Sequence, residues 1–217
     1  MKKLALAAAA ALSLTATIAA APTLFAQGAP QVPGAQDPAR VTAGTYALDA
    51  GHTLVDWEVS HFGFNNCIGL FGNITGTMTM DPANIEAATF AINVPVAEVT
   101  VASAGLKEHL LRAGKEGGAP DFFGPAPGMA TFTSTKVTKT GATTADVTGT
   151  LTMNGKSAPV TLTTEFIGAG ANPYNKKQTV GFHARTTIDR TQWGLNTAVP
   201  FIGKDVTLTI SAAFEKQ

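Results

Sequence analysis

The sequence predicts an all-β protein, an antiparallel sandwich or barrel, on three observations. Strand-like alternation recurs along most of the chain: Val55, Trp57, Val59 and His61 share one face and Asp56, Glu58 and Ser60 the other. Six to nine such runs are joined by short turn signals, with no alternation of strands and long helices. Glycines such as Gly69 and Gly72 interrupt apolar strands, which suggests a bend, a bulge or a close approach by another group. Large apolar residues broken by glycines suit a curved sheet around a cavity.

Met1-Lys2-Lys3 is a short basic start, and Leu4 to Ala20 is an apolar run rich in alanine and leucine. With cleavage after Ala20 or, preferred, after Ala26, residues 1–26 read as a bacterial-type signal peptide. A retained anchor fits less well because the run is short and alanine-rich. No cysteine directly follows it, so no lipoprotein anchor is expected. The expected location is therefore the periplasm. Residues 27–44, rich in Pro, Gly, Ala and Gln, read as a flexible leader before a domain over 45–217.

The chain carries 15 basic and 15 acidic residues, so loss of Lys2 and Lys3 leaves 13 against 15. That balance argues against nucleic acid or an anionic membrane as an electrostatic partner. Cys67 is the single cysteine, so no intramolecular disulfide is available and the core must hold the fold.

The strands follow in order. Phe90, Ile92 and Val94 alternate with Thr89, Ala91 and Asn93, and Val147, Gly149, Leu151 and Met153 alternate with more polar residues. Asn154-Gly155 is a two-residue hairpin signal, because both centres of a type I′ turn need positive φ. Val160, Leu162, Thr164 and Phe166 continue one face; Val180, Phe182, Ala184 and Ile188 form another; Val206, Leu208, Ile210 and Phe214 close the chain. One segment departs from this. Ala104 to Ala113 predicts a short helix, with Ser103 as N-cap, Gly114 as stop, Leu106 and Leu110 four apart, and Glu108 and Arg112 as an i,i+4 pair. Lys115 to Gly128 is a loop interrupted by Phe122-Phe123, a pair that anchors the loop to the core or gates a cavity mouth.

Several motifs together are familiar: Asp49 with His52, His61-Phe62-Gly63, Gly69-Leu70-Phe71, and His109, Leu110 and Arg112. They continue in Asp121-Phe122-Phe123, the run Thr148 to Gly155 with Pro159-Val160, and Arg190 with Trp193-Gly194. In this order, from about Tyr46 to the C-terminus, the chain resembles the YceI-like family of exported polyisoprenoid-binding proteins. The resemblance implies a lipocalin-like antiparallel β-barrel enclosing the tail of a quinone or polyprenyl lipid. In the family pattern the Asp-Phe pair follows the helix arginine almost directly, whereas here Ala113 to Pro120 intervene and Gly128-Met129 lengthens the approach to Phe132.

Candidate ligand-binding residues follow from parity and position. Trp57, Val59, Phe71, Phe90, Ile92, Leu151, Leu162 and Phe182 are expected to face the interior. Gly149 is expected to leave room for the tunnel, and Phe122 and Phe123 to flank its mouth. Trp193 is a core residue, but in a barrel core and cavity wall are the same inner face. His61 is either a satisfied core histidine or a hydrogen-bond donor to a polar head. Arg112 and Arg190 form surface ion pairs or bind a polar head. His52 is expected to pin a turn, His183 to face outward, and His109 to be solvent-exposed or in contact with ligand.

No histidine pair has helical zinc-motif spacing, Cys67 has no basic neighbour in sequence, and the chain contains neither a Gly-x-Ser-x-Gly elbow nor a phosphate-binding glycine loop. No metal, cofactor or catalytic residue is expected. Burying ten methylenes is worth roughly 8 kcal/mol before ordering costs, which corresponds to about micromolar affinity. The favoured function is an isoprenoid carrier or reservoir. An exported enzyme acting on a small apolar substrate and an interaction module with a filled core are the alternatives. The sequence leaves homodimerisation open.

Overall fold

Asn154 and Gly155 both take left-handed backbone, at φ 51° and 71°. They close β7 (Thr144–Met153) directly onto β8 (Lys156–Ala171), with Met153 opposite Lys156. The computed structural model describes residues 31–217, so the expected signal peptide and the start of the leader lie outside the described residues. β5 (Thr89–Pro95) and β6 (Met129–Lys139) precede this hairpin, while β9 (Gln178–Asp189) and β10 (Ile202–Lys216) follow it. From β5 to β10 each strand pairs antiparallel with the next.

The first strands close the ring. β1 (Gly44–Leu48) and β2 (Leu54–His61) lie end to end along one edge of β10, with Leu48 opposite Phe214 and Leu54 opposite Ser211. β4 (Thr75–Met80) pairs with both β1 and β5, which completes a barrel of eight strands. Closure pairs both edges of every strand in this ring, as a sandwich would not. β2 also pairs with β3 (Asn65–Phe71) in unbroken register, Trp57 opposite Gly69 and Val55 opposite Phe71. Phe71 therefore points inward and no bulge exchanges it with Leu70.

β3 does not continue the ladder to β5. Its free edge meets Thr100 alone, through two Leu70–Thr100 backbone bonds of 2.8 Å. The chain between β5 and β6, with helix α1 (Ala104–Leu111), packs against this part of the barrel. Ser103 caps α1, its Oγ accepting from Leu106 N–H at 3.3 Å. The stop is not Gly114: Arg112 already turns to extended backbone (φ −76°, ψ 155°). Arg112 pairs with Asp121 at 2.8 Å, so its ion-pair partner is in the following loop and not on the helix at Glu108. Leu110 C=O accepts from both Phe123 N–H (3.0 Å) and Gly124 N–H (3.3 Å), which fastens that loop to the helix end.

The part of the leader that is described runs along the barrel wall. Ala35 exchanges backbone bonds with Ala169, Gln36 Nε2 donates to Phe166 C=O, and Val41 is buried. Apolar packing forms two clusters. One gathers Tyr46, Met78, Phe166, Val180, Trp193 and Phe214; the other joins Trp57 and Val59 to Val99 and Leu110, with Phe122 and Phe123 against them.

Candidate functional site

Between the two clusters lies a cavity of about 460 Å³, within the roughly 300–1,000 Å³ usual for small-molecule sites. Its wall is almost wholly aliphatic and aromatic because the inward parity of nearly every strand is apolar. Trp57, Val59, Phe71, Phe90 and Ile92 line it, as do Leu151, Leu162 and Phe182. Leu106, His109 and Leu110 of α1 and Phe122 and Phe123 of the following loop add the helical side. Of all the lining residues only Phe62 and Ala198 are exposed. The cavity therefore opens between the β2–β3 turn and the β9–β10 loop, and Phe122 and Phe123, expected at the mouth, are half-buried wall.

Three expected site residues stand elsewhere. Gly149 faces inward, but the Phe132 ring already lies on it, so the glycine accommodates a neighbouring ring and opens no tunnel. Trp193 is 1% exposed, lies outside the cavity wall, and donates its Nε1–H to Leu151 C=O at 3.1 Å. Arg112 is outside the wall too, its guanidinium donating to Asp121. Sequence reading did not single out Phe132, Leu208 and Phe214 as site residues, although all line the cavity. The parity of β10 already held the signal for Leu208 and Phe214.

The polar groups are few and mostly engaged. His61 lines the cavity near its opening, its ring edge-on to Phe62 with centroids 4.7 Å apart. His109 Nε2 lies 3.0 Å from Asp121 Oδ2, the oxygen that Arg112 also bonds, and its ring meets Phe122 edge-on. When neutral, His109 donates through Nε2–H and presents Nδ1 as an acceptor. The Arg112 guanidinium, and after it His109, hold the Asp121 carboxyl below the usual carboxylate range.

Arg190 is the buried charge of the site, 4% exposed. It forms neither a surface ion pair nor an open head-group clamp. Nε donates to Gly203 C=O at 2.8 Å, Nη2 to Thr197 and Ile202 at 2.9 Å each, and Nη1 to Leu195. Four donors thus knit the β9–β10 loop to the barrel end, and the guanidinium sits 5.9 Å from the Phe122 ring centre. Burial lowers its pKa, yet an arginine so surrounded by carbonyls stays charged. Beside it, Thr191 and Lys204 hold the Asp189 carboxyl low.

The other two histidines stand away from the cavity. His52 bonds Asp49 at 2.7 Å in the β1–β2 turn, and His183 is exposed on the outer face. Gly69 is the close approach its position predicts: the Trp57 indole lies over it with Val101 beside it. Trp57 Nε1–H is buried without a hydrogen-bond partner among the described residues. No group of three or more His, Cys, Asp or Glu is placed to hold a metal ion among the described residues. Chemically, such a site can dissolve an apolar chain and offers polar contacts chiefly near its opening.

Comparison with known proteins places these features. A protein of the UPF0312 group from Pseudomonas fluorescens is 34% identical over 181 residues, covering 82% of this chain and 90% of that one. A Campylobacter jejuni YCEI protein superposes with a TM-score of 0.61 at 24% identity, covering 73% of this chain and 90% of that structure. A polyisoprenoid-binding domain from Saccharophagus degradans superposes at 0.53 and 13% identity, covering 79% and 98%, a likeness of fold alone. The model of the YceI-like domain matches residues 46–214, from the first barrel strand to the last, and the chain belongs to the YceI-like family.

Proposed function

We propose that this protein binds a long-chain isoprenoid lipid, of quinone or polyprenyl type, in the barrel cavity and serves as a periplasmic carrier or reservoir. The observation that carries the reading is the cavity: about 460 Å³ of space walled by apolar side chains from the strands and from α1. Space of that size in a closed barrel is far more than packing defects leave in a filled core. Family membership supports an apolar ligand, since a polyisoprenoid-binding domain shares the fold. Export rests on the basic start and short apolar run of residues 1–26.

An exported enzyme would need a paired acid, base or nucleophile in the cavity. Cys67 and His61 lie two rungs apart on the β2–β3 ladder, opposite Val59 and Asn65 respectively, and no hydrogen bond joins them. Binding is the better account. Organic extraction of the purified exported protein, followed by mass spectrometry, should recover a prenyl lipid at near one per chain. Protein that carries none, and takes none up from detergent, would leave the filled-core module as the better reading. Osmotic-shock fractionation with N-terminal sequencing tests the location, with a start between Ala21 and Gln27 expected.

A further inference from the structure

The end of the barrel at which the cavity opens carries an apolar surface made by two loops. Phe64, at the β2–β3 turn, is 90% exposed, Phe201 63% and Phe62 49%. Val199 adds to the same loop as Phe201. The loops are joined: Phe62 N–H donates to Phe201 C=O at 2.7 Å, and the two rings lie 5.8 Å apart. Phe62 and Ala198 hold left-handed backbone, at φ 53° and 59°, a conformation that disfavours non-glycine residues. Aromatic side chains held in solvent in this way mark an interaction surface.

Low charge and continuity with the cavity together point to the occupant. No Asp, Glu, Lys or Arg occurs between residues 59 and 80 or between 191 and 203. The polar residues nearest the exposed rings are neutral, Asn65 and Asn66 at the start of β3 and Asn196 and Thr197 in the β9–β10 loop; the charges that adjoin them, Glu58 bonded to Asn66 and Lys156 beside Gly194, lie on neighbouring strands. Phenylalanines beside neutral polar groups suit the headgroup boundary of a bilayer, and since the centre of a protein interface is equally poor in charge, it is the continuity with an apolar cavity that favours lipid. The surface is also continuous with the cavity, because Phe62 and Ala198 belong to both.

We propose that this end inserts into the headgroup region of a lipid bilayer, as the docking surface through which the cavity exchanges its lipid. The proposal rests on the lipid-binding reading above. With 13 basic against 15 acidic residues once Lys2 and Lys3 are removed, attachment works by burying Phe64 and Phe201 and not by attraction to anionic lipid. The bilayer is touched, not spanned.

The test is sedimentation of the exported protein with phosphatidylcholine vesicles, beside uptake of a prenylquinone from detergent micelles. Wild type should bind the vesicles equally from about 0.05 to 0.5 M salt, a range over which electrostatic attachment would collapse. Phe64→Asp and Phe201→Asp should each lower vesicle partitioning by about tenfold or more. Neither residue lines the cavity, so uptake from micelles should stay at the wild-type level and also report correct folding. Wild type that loads from micelles but ignores vesicles would overturn docking alone. So would variants that bind vesicles as wild type does, or binding that needs anionic lipid and vanishes with salt. A dimer that Phe64→Asp dissolves would assign the surface to a second copy instead. Vesicle binding without uptake of any lipid would uphold docking and defeat the lipid-binding reading.

Discussion

Phe132 and Gly149 meet diagonally across the β6–β7 ladder, the phenyl ring lying where any side chain at 149 would have to stand. Gly149→Leu should therefore push the ring into the cavity and destabilise the fold by about 1–3 kcal/mol. Removing the ring as well should relieve part of the collision and leave the clash with the Thr133 carbonyl, 2.5 Å from the new Cβ. In a double-mutant cycle with Phe132→Ala, measured by denaturant unfolding, the two changes should cost less together than their sum. Strict additivity would mean that the ring leaves Gly149 freely.

Gly69 meets a larger ring. A methyl group there would strike the Trp57 indole and Val101 together. Gly69→Ala should lower stability by about 1–3 kcal/mol, read as a shift in the denaturation midpoint, with a changed Trp57 emission spectrum. Gly128→Ala, where nothing lies within reach of the new methyl, should leave both unchanged.

The Asp121 carboxyl ties Arg112 and His109 to the loop that carries Phe122 and Phe123. Its pKa is depressed in the folded chain relative to the ordinary 3.8. A depressed carboxylate contributes stability that is present above the unfolded value and lost as pH falls through the folded one. Wild type should therefore exceed Asp121→Asn in stability near neutral pH, and the difference should shrink only below about pH 4. Unfolding both proteins across that range checks it; a gap independent of pH would mean the carboxylate charge plays no part.

Replacing Arg190 by methionine keeps an unbranched apolar stem and removes every donor to the carbonyls of Leu195, Thr197, Ile202 and Gly203. The loss should be about 3 kcal/mol or more, since those carbonyls are left without their donor. Hydrogen exchange should show the 194–203 loop loosening first. Arg190→Lys should recover little, because one ammonium cannot span four carbonyls.

These cases show where sequence reading stops. Alternation fixes which face of a strand a residue occupies, so Trp57, Ile92, Leu151 and Phe182 could be assigned inward from their own neighbours. The Asn154-Gly155 turn and the Ser103 cap were equally legible, because each is decided within a few residues. Gly149 departs from its expected role because parity says that it faces inward but not that Phe132 leans across it from the adjacent strand. Arg190 has only Asp189 and Thr191 beside it in sequence, while its partners return from five to thirteen residues later. The sequence points to an opening beside Phe122-Phe123, yet it lies where two other loops meet, a non-local fact.

The departure of β3 from β5 gives the barrel a seam. Elsewhere adjoining barrel strands are stitched by ladders, from Gly44–Ala47 on β1 against β4 to the eleven rungs between β9 and β10. At the seam the backbone stitch is the single Leu70–Thr100 bridge, and the rest is side-chain packing under α1. Apolar contacts slide and re-form at little directional cost, whereas ladder bonds break as a set. The wall is therefore least rigid along one vertical line, with Trp57 on one side of it and Leu110 on the other, and a cavity built this way can widen sideways without unravelling the barrel.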